Sequence, residues 1–222
     1  MKLNRTYLSA ADLPPTLPLF PLAGALLLPR RPIQLTVFEP RYLHMLDDAL
    51  TGERLIGMIQ PAAGEDARET PDLYPIGCAG RIVQFAEIGD GRCFLTLMGV
   101  ARFRITEEMT VMTPYRIVKP DFTPFEADFV EGEGEKAVDR EGLIAALKAF
   151  AKANDLSIDW DDVGKASNEA LVNALSMMSP YGAKEKQALL EASDLRSRAE
   201  ILVAISQIEL ARNAPDAPQR LN

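Results

Sequence analysis

Two long runs of strand-forming residues lie on either side of an Asp90-Gly91 pair. An Asp-Gly pair between apolar runs is typical of a two-residue hairpin turn, so residues 74–88 and 92–106 are predicted to pair as antiparallel strands. In the second strand the side chains of one face are apolar and those of the other are polar, so we expect one core face and one solvated face. The apolar face comprises Leu95, Leu97, Ala101, Phe103 and Ile105, and the polar face comprises Thr96, Arg102 and Arg104.

The rest of the first 120 residues also has mainly strand character. Apolar runs at 17–22 and 54–60 and a further strand at 115–119 are interrupted by one predicted helix. This helix begins at Pro40, a residue suited to the first helical position, and ends at Gly52. Residues 1–120 are therefore predicted to form a β-rich lobe.

The hydrophobic period changes from strand-like to helical across residues 121–138. This segment combines acidic residues, proline and glycine without sustained periodicity, so it is interpreted as an acidic linker. Amphipathic helices follow, with predicted caps at Ser167 and Asp194. The predicted fold class is α+β, with a helical bundle lobe at 139–213 and a flexible tail at 214–222.

The distribution of charge bears on which partners the chain can bind. It carries 24 Lys and Arg against 32 Asp and Glu, a net charge of −8. Residues 1–120 carry 13 of each, so the whole acidic surplus lies in the second half. Nucleic-acid binders normally present a basic face, and neither half has a basic excess. Arg30, Arg31 and Arg41 form only a small basic spot, interpreted as a solvated loop or, alternatively, a contact for acidic partners.

The N-terminal region was considered as a membrane or export segment. Residues 13–29 carry no charge, but five prolines interrupt them, so no continuous apolar helix is predicted there. A cytoplasmic location without membrane association is expected.

The two cysteines were tested against the predicted hairpin. The predicted register places Ile88 opposite Cys93 and Phe103 opposite Cys78, which leaves the sulfurs too far apart for a disulfide. Reduced, buried thiols are therefore expected, in keeping with a cytosolic protein.

No pattern of residues predicts a catalytic site. His44 is the only histidine, and the cysteines lack the spacing of a zinc site. A phosphate-binding loop is also missing, since Gly164-Lys165 is followed by Ala166 instead of Ser or Thr. We predict no catalytic, metal-binding or cofactor-binding residue and no cofactor. The enzymatic alternative is a small-molecule enzyme that uses His44 with Cys78 or Cys93.

Three ordered segments resemble a known protein family. Residues 17–50, LPLFPLAGALLLPRRPIQLTVFEPRYLHMLDDAL, resemble the start of the N-terminal, substrate-recognition domain of Lon ATP-dependent proteases. Residues 73–105 resemble the central hairpin of that domain, and residues 184–205 resemble its closing helices. Three blocks in the same order are more specific than any one of them.

The resemblance implies a PUA-like β pseudobarrel followed by a helical bundle. It also implies a non-catalytic protein- or peptide-binding module that captures unfolded or degron-bearing polypeptides in protein quality control. The ATPase motifs and Ser-Lys peptidase dyad of Lon proteases have no counterpart in the sequence, so we expect a stand-alone recognition domain. Its partners would be unfolded protein or peptide segments, with an ATPase or protease as a further candidate. RNA binding by the PUA-like lobe is the alternative, and the sequence leaves the peptide-binding residues unknown.

Overall fold

The described residues fold into two compact units. A computed structural model describes residues 5–62, 70–153, 157 and 159–212. The first unit contains the described residues up to Glu131 together with Pro180–Leu190. The second contains Gly132–Ser179 and the described residues from Glu191 onward. A mixed sheet accompanied by helices confirms the predicted α+β class.

The first unit is built on a sheet of six strands in the order β2-β5-β4-β3-β1-β6. The additional pairing of β5 with β6 closes five of these strands into a barrel, and β2 pairs only with β5. All pairings are antiparallel except that of β1 with β3. The strands are β1 (Leu17–Pro21), β2 (Pro32–Val37), β3 (Leu55–Ile59), β4 (Ile76–Gly89), β5 (Arg92–Glu108) and β6 (Ile117–Asp121).

The predicted hairpin turn is present between β4 and β5. Gly89 pairs with Arg92, which leaves Asp90 and Gly91 as the two loop residues. Both have positive φ, 53° and 68°, and two positive φ values in succession are what a tight two-residue turn between twisted strands requires. The Asp-Gly pair therefore sets the position of the turn.

The predicted register of this hairpin is wrong by one residue away from the turn. Cys93 lies opposite Glu87 and Cys78 opposite Arg102, each one residue before the predicted partner. The register shifts between Glu87 and Gly89, and it shifts twice more along the ladder. A bulge places an extra residue in one strand, and sequence alternation does not reveal it.

Phe103 occupies the centre of the barrel, where it is fully buried. Two glycines make room for its ring, because a Cβ at Gly57 or Gly77 would lie 3.0 or 2.7 Å from the ring carbon Cζ. The surrounding cluster consists of Leu13, Leu17, Leu19, Leu55, Ile59, Ala79, Ala101, Val118 and Phe122.

Arg102, which the strand pattern places on the solvated face, instead makes a buried ion pair. Its Nη2 and Nε donate to the two carboxylate oxygens of Asp128 at 2.8 and 2.9 Å, and its backbone N–H donates to the same carboxylate. Nη1 donates to the carbonyl of Leu190 at 3.1 Å, and the guanidinium lies 4.6 Å from the Phe125 ring centroid. The polar face of β5 is therefore partly buried, and Thr96 is buried as well.

Two helices belong to the first unit, α1 (Pro40–Thr51) and α5 (Ala183–Glu191, through Leu190). The predicted start and end of α1 are confirmed, since Pro40 occupies the first turn and Gly52 is the C-cap. A short 3₁₀ segment at Thr123–Phe129 carries Phe125 and Asp128 into this unit.

A buried glutamine pair holds α5 to the strands of this unit. Gln60 donates to the side-chain oxygen of Gln187 and to the carbonyl of Ala183, at 3.0 and 3.1 Å. Gln187 in turn donates to the carbonyl of Ile76, and Gln60 accepts from the Gly24 amide. These polar groups are buried but bonded, so burial costs little.

The second unit is helical. Ser167 caps α4 by accepting from the Ala170 amide at 3.2 Å, and Asp194 accepts from the Ser197 amide at 2.7 Å at the start of α6, as expected for caps. Arg198 donates to Asn173 in the interior of this unit at 2.9 Å. Its helices are α2 (Arg140–Ala153), α3 (Trp160–Lys165), α4 (Asn168–Met178) and α6 (Leu195–Arg212).

The units differ in extent from the domains proposed from sequence. Residues 121–131 of the proposed linker belong to the β unit, because Phe122, Phe125 and Asp128 are buried in it. Pro180–Leu190 of the proposed helical lobe 139–213 belong to the β unit too, because α5 is bonded there. The proposed tail 214–222 lies outside the described residues.

We predict that Arg102→Met lowers the free energy of unfolding by about 3–5 kcal/mol, because it leaves the buried Asp128 carboxylate without its partner. The double variant Arg102→Met/Asp128→Leu should recover most of the loss, since no unpaired charge remains. Urea unfolding followed by circular dichroism measures both. The control is Arg92→Met, which removes an exposed ion pair with Asp90 and should cost under about 1 kcal/mol. Equal losses for the two single variants would contradict the prediction.

We predict that Gly77→Ala also destabilises the protein, by about 1–3 kcal/mol, since its Cβ would lie 2.6 Å from the Met58 carbonyl oxygen and 2.7 Å from the Phe103 ring. Gly164→Ala is the control, because a Cβ there has open space. Thermal unfolding checks both, and an unchanged midpoint for Gly77→Ala would refute the packing argument.

Candidate functional site

A groove of about 550 Å³ lies on the β unit. It is formed by residues 5–8, Arg30, β4, β5 and residues 128–131. Its apolar lining comes from Leu8, Val83, Met98, Val100 and Phe129. Leu8 is 74% exposed and Val83 is 53% exposed, so this lining is open to solvent.

Irregularities in the hairpin ladder supply two residues of this lining. The register shifts between Ile82 and Gln84, which leaves Val83 without a partner across the ladder. The β4–β5 register also shifts where Ala101 and Gly99 pair with consecutive β4 residues, which leaves Val100 between them. Bulges often redirect a side chain beside a functional site.

A third irregularity lies where the chain enters β2. Gly99 accepts from the Arg30 amide at 2.8 Å and donates to the Arg31 carbonyl at 2.9 Å, so two residues of one strand lie opposite one of the other. Arg30 has a φ of 61°, an uncommon conformation for a residue with a side chain. A Cβ at Gly99 would overlap the Leu28 carbonyl, so the site requires glycine.

Three arginines line the groove together with its apolar residues. Arg81 donates to the Tyr7 hydroxyl at 2.8 Å, and its guanidinium lies 5.9 Å from the centroid of that ring. Arg5 pairs with Glu53, and Arg30 donates to the backbone carbonyl of Asp128. These bonds hold the guanidiniums in place beside the apolar lining. The small basic spot noted in the sequence therefore contributes Arg30 to the groove.

A second cavity of about 290 Å³ is lined by tyrosine, arginine and proline side chains. Beside it, His44 Nδ1 lies 3.2 Å from Asp48, and the Tyr115 hydroxyl donates to the same carboxylate at 2.6 Å. Burial and this hydrogen bond raise the pKa of Tyr115 to about 12, so the phenol stays protonated at neutral pH. His44, Asp48 and Tyr115 thus form a polar cluster, but this cluster contains no thiol or hydroxyl activated as a nucleophile.

The cysteines do not form the site that the enzymatic alternative requires. Both are free thiols, as expected, but the expected burial holds only for Cys78, since Cys93 is half-buried. Cys78 is buried, with its sulfur 3.7 Å from the Ala79 carbonyl. Burial, with smaller effects from Glu87 and Asp47, raises the pKa of Cys93. A catalytic thiol is normally activated by a lowered pKa, so Cys93 has the opposite character.

Neither a metal-binding cluster nor a membrane-spanning helix occurs among the described residues. The described part of the chain contains no group of three His, Cys, Asp or Glu side chains suited to a metal ion. None of the described helices is both long enough and apolar enough to cross a membrane.

The sequence interpretation did not identify the groove. Its lining residues come from five segments that are separate in sequence, and two of these residues line it because of bulges. The one available signal was the Gly99–Arg102 stretch, where a small residue interrupts a long apolar strand.

Comparisons with known proteins give a consistent result. The family model for the ATP-dependent protease La (LON) substrate-binding domain matches residues 16–206. The chain is 28% identical over 210 residues to a Lon protease of Dictyoglomus thermophilum, covering 89% of this chain and 24% of that protein. It is 30% identical over 198 residues to a Lon protease of Parabacteroides distasonis, covering 86% of this chain and 23% of that protein. The chain thus spans about a quarter of these relatives.

Solved structures share the fold. A Lon N-terminal domain protein from Xanthomonas campestris has a TM-score of 0.62 at 24% identity, covering 85% of this chain and 97% of that one. The N-terminal domain of a Mycobacterium avium complex Lon protease has a TM-score of 0.65 at 18% identity, covering 86% and 98%. The predicted PUA-like pseudobarrel agrees with these neighbours.

We predict that both thiols of the native protein react slowly with iodoacetamide at neutral pH, because Cys78 is buried and the pKa of Cys93 is raised. Labelling of Cys93 should accelerate only as the pH rises above the ordinary thiol range. Peptide mass spectrometry after timed quenching measures both sites, and urea-unfolded protein is the control. Rapid labelling of either native thiol below neutral pH would favour the enzymatic alternative.

Proposed function

The chain belongs to the family of Lon substrate-binding domains, and on that basis we propose that it binds unfolded or degron-bearing polypeptide segments as a non-catalytic recognition module. The groove on the β unit carries this proposal. An open cavity lined by exposed aliphatic side chains and fixed arginines suits a flexible chain, whereas small-molecule sites usually enclose most of their ligand.

The chemistry of the groove matches that of an unfolded segment. Leu8, Val83 and Met98 can cover apolar side chains that folded proteins keep inside, and covering them removes apolar area from water. The guanidiniums of Arg30 and Arg81 carry donors that suit backbone carbonyls or a carboxylate. The groove therefore supplies both kinds of contact that an extended segment offers.

RNA binding receives less support from the same groove. Arg5 is paired with Glu53, and Asp128 and Glu131 also line the groove, so its net positive charge is small. Phosphate backbones need several uncompensated basic side chains along one face. An apolar lining whose positive and negative charges nearly cancel suits a protein segment better than an RNA backbone.

We further propose a role in protein quality control in the cytoplasm, with an ATPase or protease as the partner that acts on the captured segment. The support is the family, since its full-length Lon relatives are proteases that extend well beyond the part matched by this chain. The recognition step itself requires no ATP.

We predict that Leu8→Ser/Val83→Ser weakens binding of a permanently unfolded protein, reduced and carboxymethylated α-lactalbumin, by about tenfold. Two exposed aliphatic side chains are lost from the groove, and tenfold corresponds to about 1.4 kcal/mol. Fluorescence anisotropy of the dye-labelled substrate without ATP measures the affinity.

The matched control is Met112→Ser, which removes a fully exposed apolar side chain that does not line the groove. It should leave binding unchanged. Equal affinity of the groove variant and the control would place binding elsewhere, and no binding by the wild-type protein would reject the proposed function.

A further inference from the structure

Strand β2 has a pairing partner on one side only. Its six residues pair in unbroken register with residues 93–98 of β5, and no described strand pairs with its other side. Pro32, Gln34 and Thr36 are all exposed along this strand. The barrel closes without β2, so closure does not cover this edge.

The hydrogen bonds at Gly99 show which backbone groups face the open edge. Gly99 exchanges bonds with the chain at Arg30 and Arg31, so its own N–H and C=O point toward β2. Groups alternate along an antiparallel ladder, so residues 33, 35 and 37 bond to β5. The N–H and C=O groups of Gln34 and Thr36 therefore point away from β5, toward the open edge.

The open stretch of β4 is less suited to accept a strand. Residues 83–88 of β4 lie beyond the part that pairs with β3, but the β4 ladder shifts at Val83 and again next to Ile88. Glu87 adds a charge between the two shifts. Bulges and charges are the usual protections of exposed edges. Within Pro32–Val37 the edge of β2 has neither, since the bulge and the charges of Arg30 and Arg31 lie before this stretch.

The composition of β2 also suits an open edge. Its only proline, Pro32, lies at a position whose backbone groups point to the open edge. The missing N–H therefore removes no hydrogen bond to β5. The strand carries no charged side chain, and Phe38, which follows it, is 64% exposed. An incoming strand would meet neutral backbone groups and an exposed aromatic ring.

We propose that the edge of β2 binds an extended, uncharged polypeptide segment as an added strand, through the main-chain groups of Gln34 and Thr36. This inference rests on the proposed function and adds a second binding surface to the groove. That surface would recognise the main chain of the segment and not its side chains. The occupant is a foreign segment, because the proposed function is the capture of other polypeptides and the uncharged edge of β2 matches an uncharged strand.

The test is Thr36→Pro, which removes an outward N–H and leaves the β5 ladder bonds of residues 33, 35 and 37 in place. The probe is a capped, dye-labelled peptide of alternating Val and Thr residues. We expect about tenfold weaker binding, with circular dichroism and the unfolding midpoint close to those of the wild type. Thr36→Ala, which keeps the N–H, is the matched control and should bind like wild type. Gln34→Pro provides a second variant should Thr36→Pro fold poorly.

N-methylation of the probe gives an independent readout. Methyl groups on one set of alternate residues should abolish binding, and methyl groups on the other set should not, because only one set faces β2. Equal effects of the two sets, or equal affinities for wild type and both proline variants, would overturn strand addition.

The remaining outcomes separate this inference from the proposed function. Wild-type protein that binds the unfolded lactalbumin but not the probe retains the proposed function and loses strand addition. Failure to bind either ligand rejects both. A dimer in sedimentation velocity that Thr36→Pro dissociates would assign the edge to a second copy and overturn the proposal.

Discussion

The β unit depends on one buried ion pair. Arg102 on β5 and Asp128 on the Thr123–Phe129 segment are almost completely removed from water, so each charge requires the other. The same guanidinium reaches the Leu190 carbonyl, and the Asp128 carbonyl accepts from Arg30. One pair thus joins the sheet, a 3₁₀ segment and a helix, and it also fixes an arginine that lines the groove.

The long strand β5 belongs both to the closed barrel and to the part of the sheet that has an open edge. Its first half pairs with β2 and its second half with β6, and the shift at Val100 lies between them. The second half closes the barrel around Phe103. The first half carries β2 beyond the closed part, where one edge has no partner among the described strands. Closure and an accessible edge are therefore properties of the same strand.

Sequence reasoning succeeded where the signal was local. Asp90-Gly91 fixed a turn because few residue pairs accept two positive φ values, and Pro40 with Gly52 marked the ends of a helix. It failed where the cause was distant. The alternation of Arg102 with apolar residues predicts a solvated side chain. Its partner Asp128 lies in a segment whose composition predicts a linker, so the pairing has no local signal. Side-chain alternation also gives no sign of the shift that exposes Val83 in the groove. Residues 180–190 fall within the proposed helical lobe, and nothing in their sequence indicates that α5 packs on the β unit.

The β unit is assembled from two separate stretches of the chain, up to Glu131 and again from Pro180 to Leu190. During synthesis the strands are translated before α5, so the Leu190 carbonyl and the Gln187 side chain become available to Arg102 and Gln60 only later. The β unit therefore cannot complete these buried hydrogen bonds until the intervening helices and α5 have been translated. A fragment that stops after the last strand lacks the buried α5 residues Gln187, Leu189 and Leu190 and therefore part of the core.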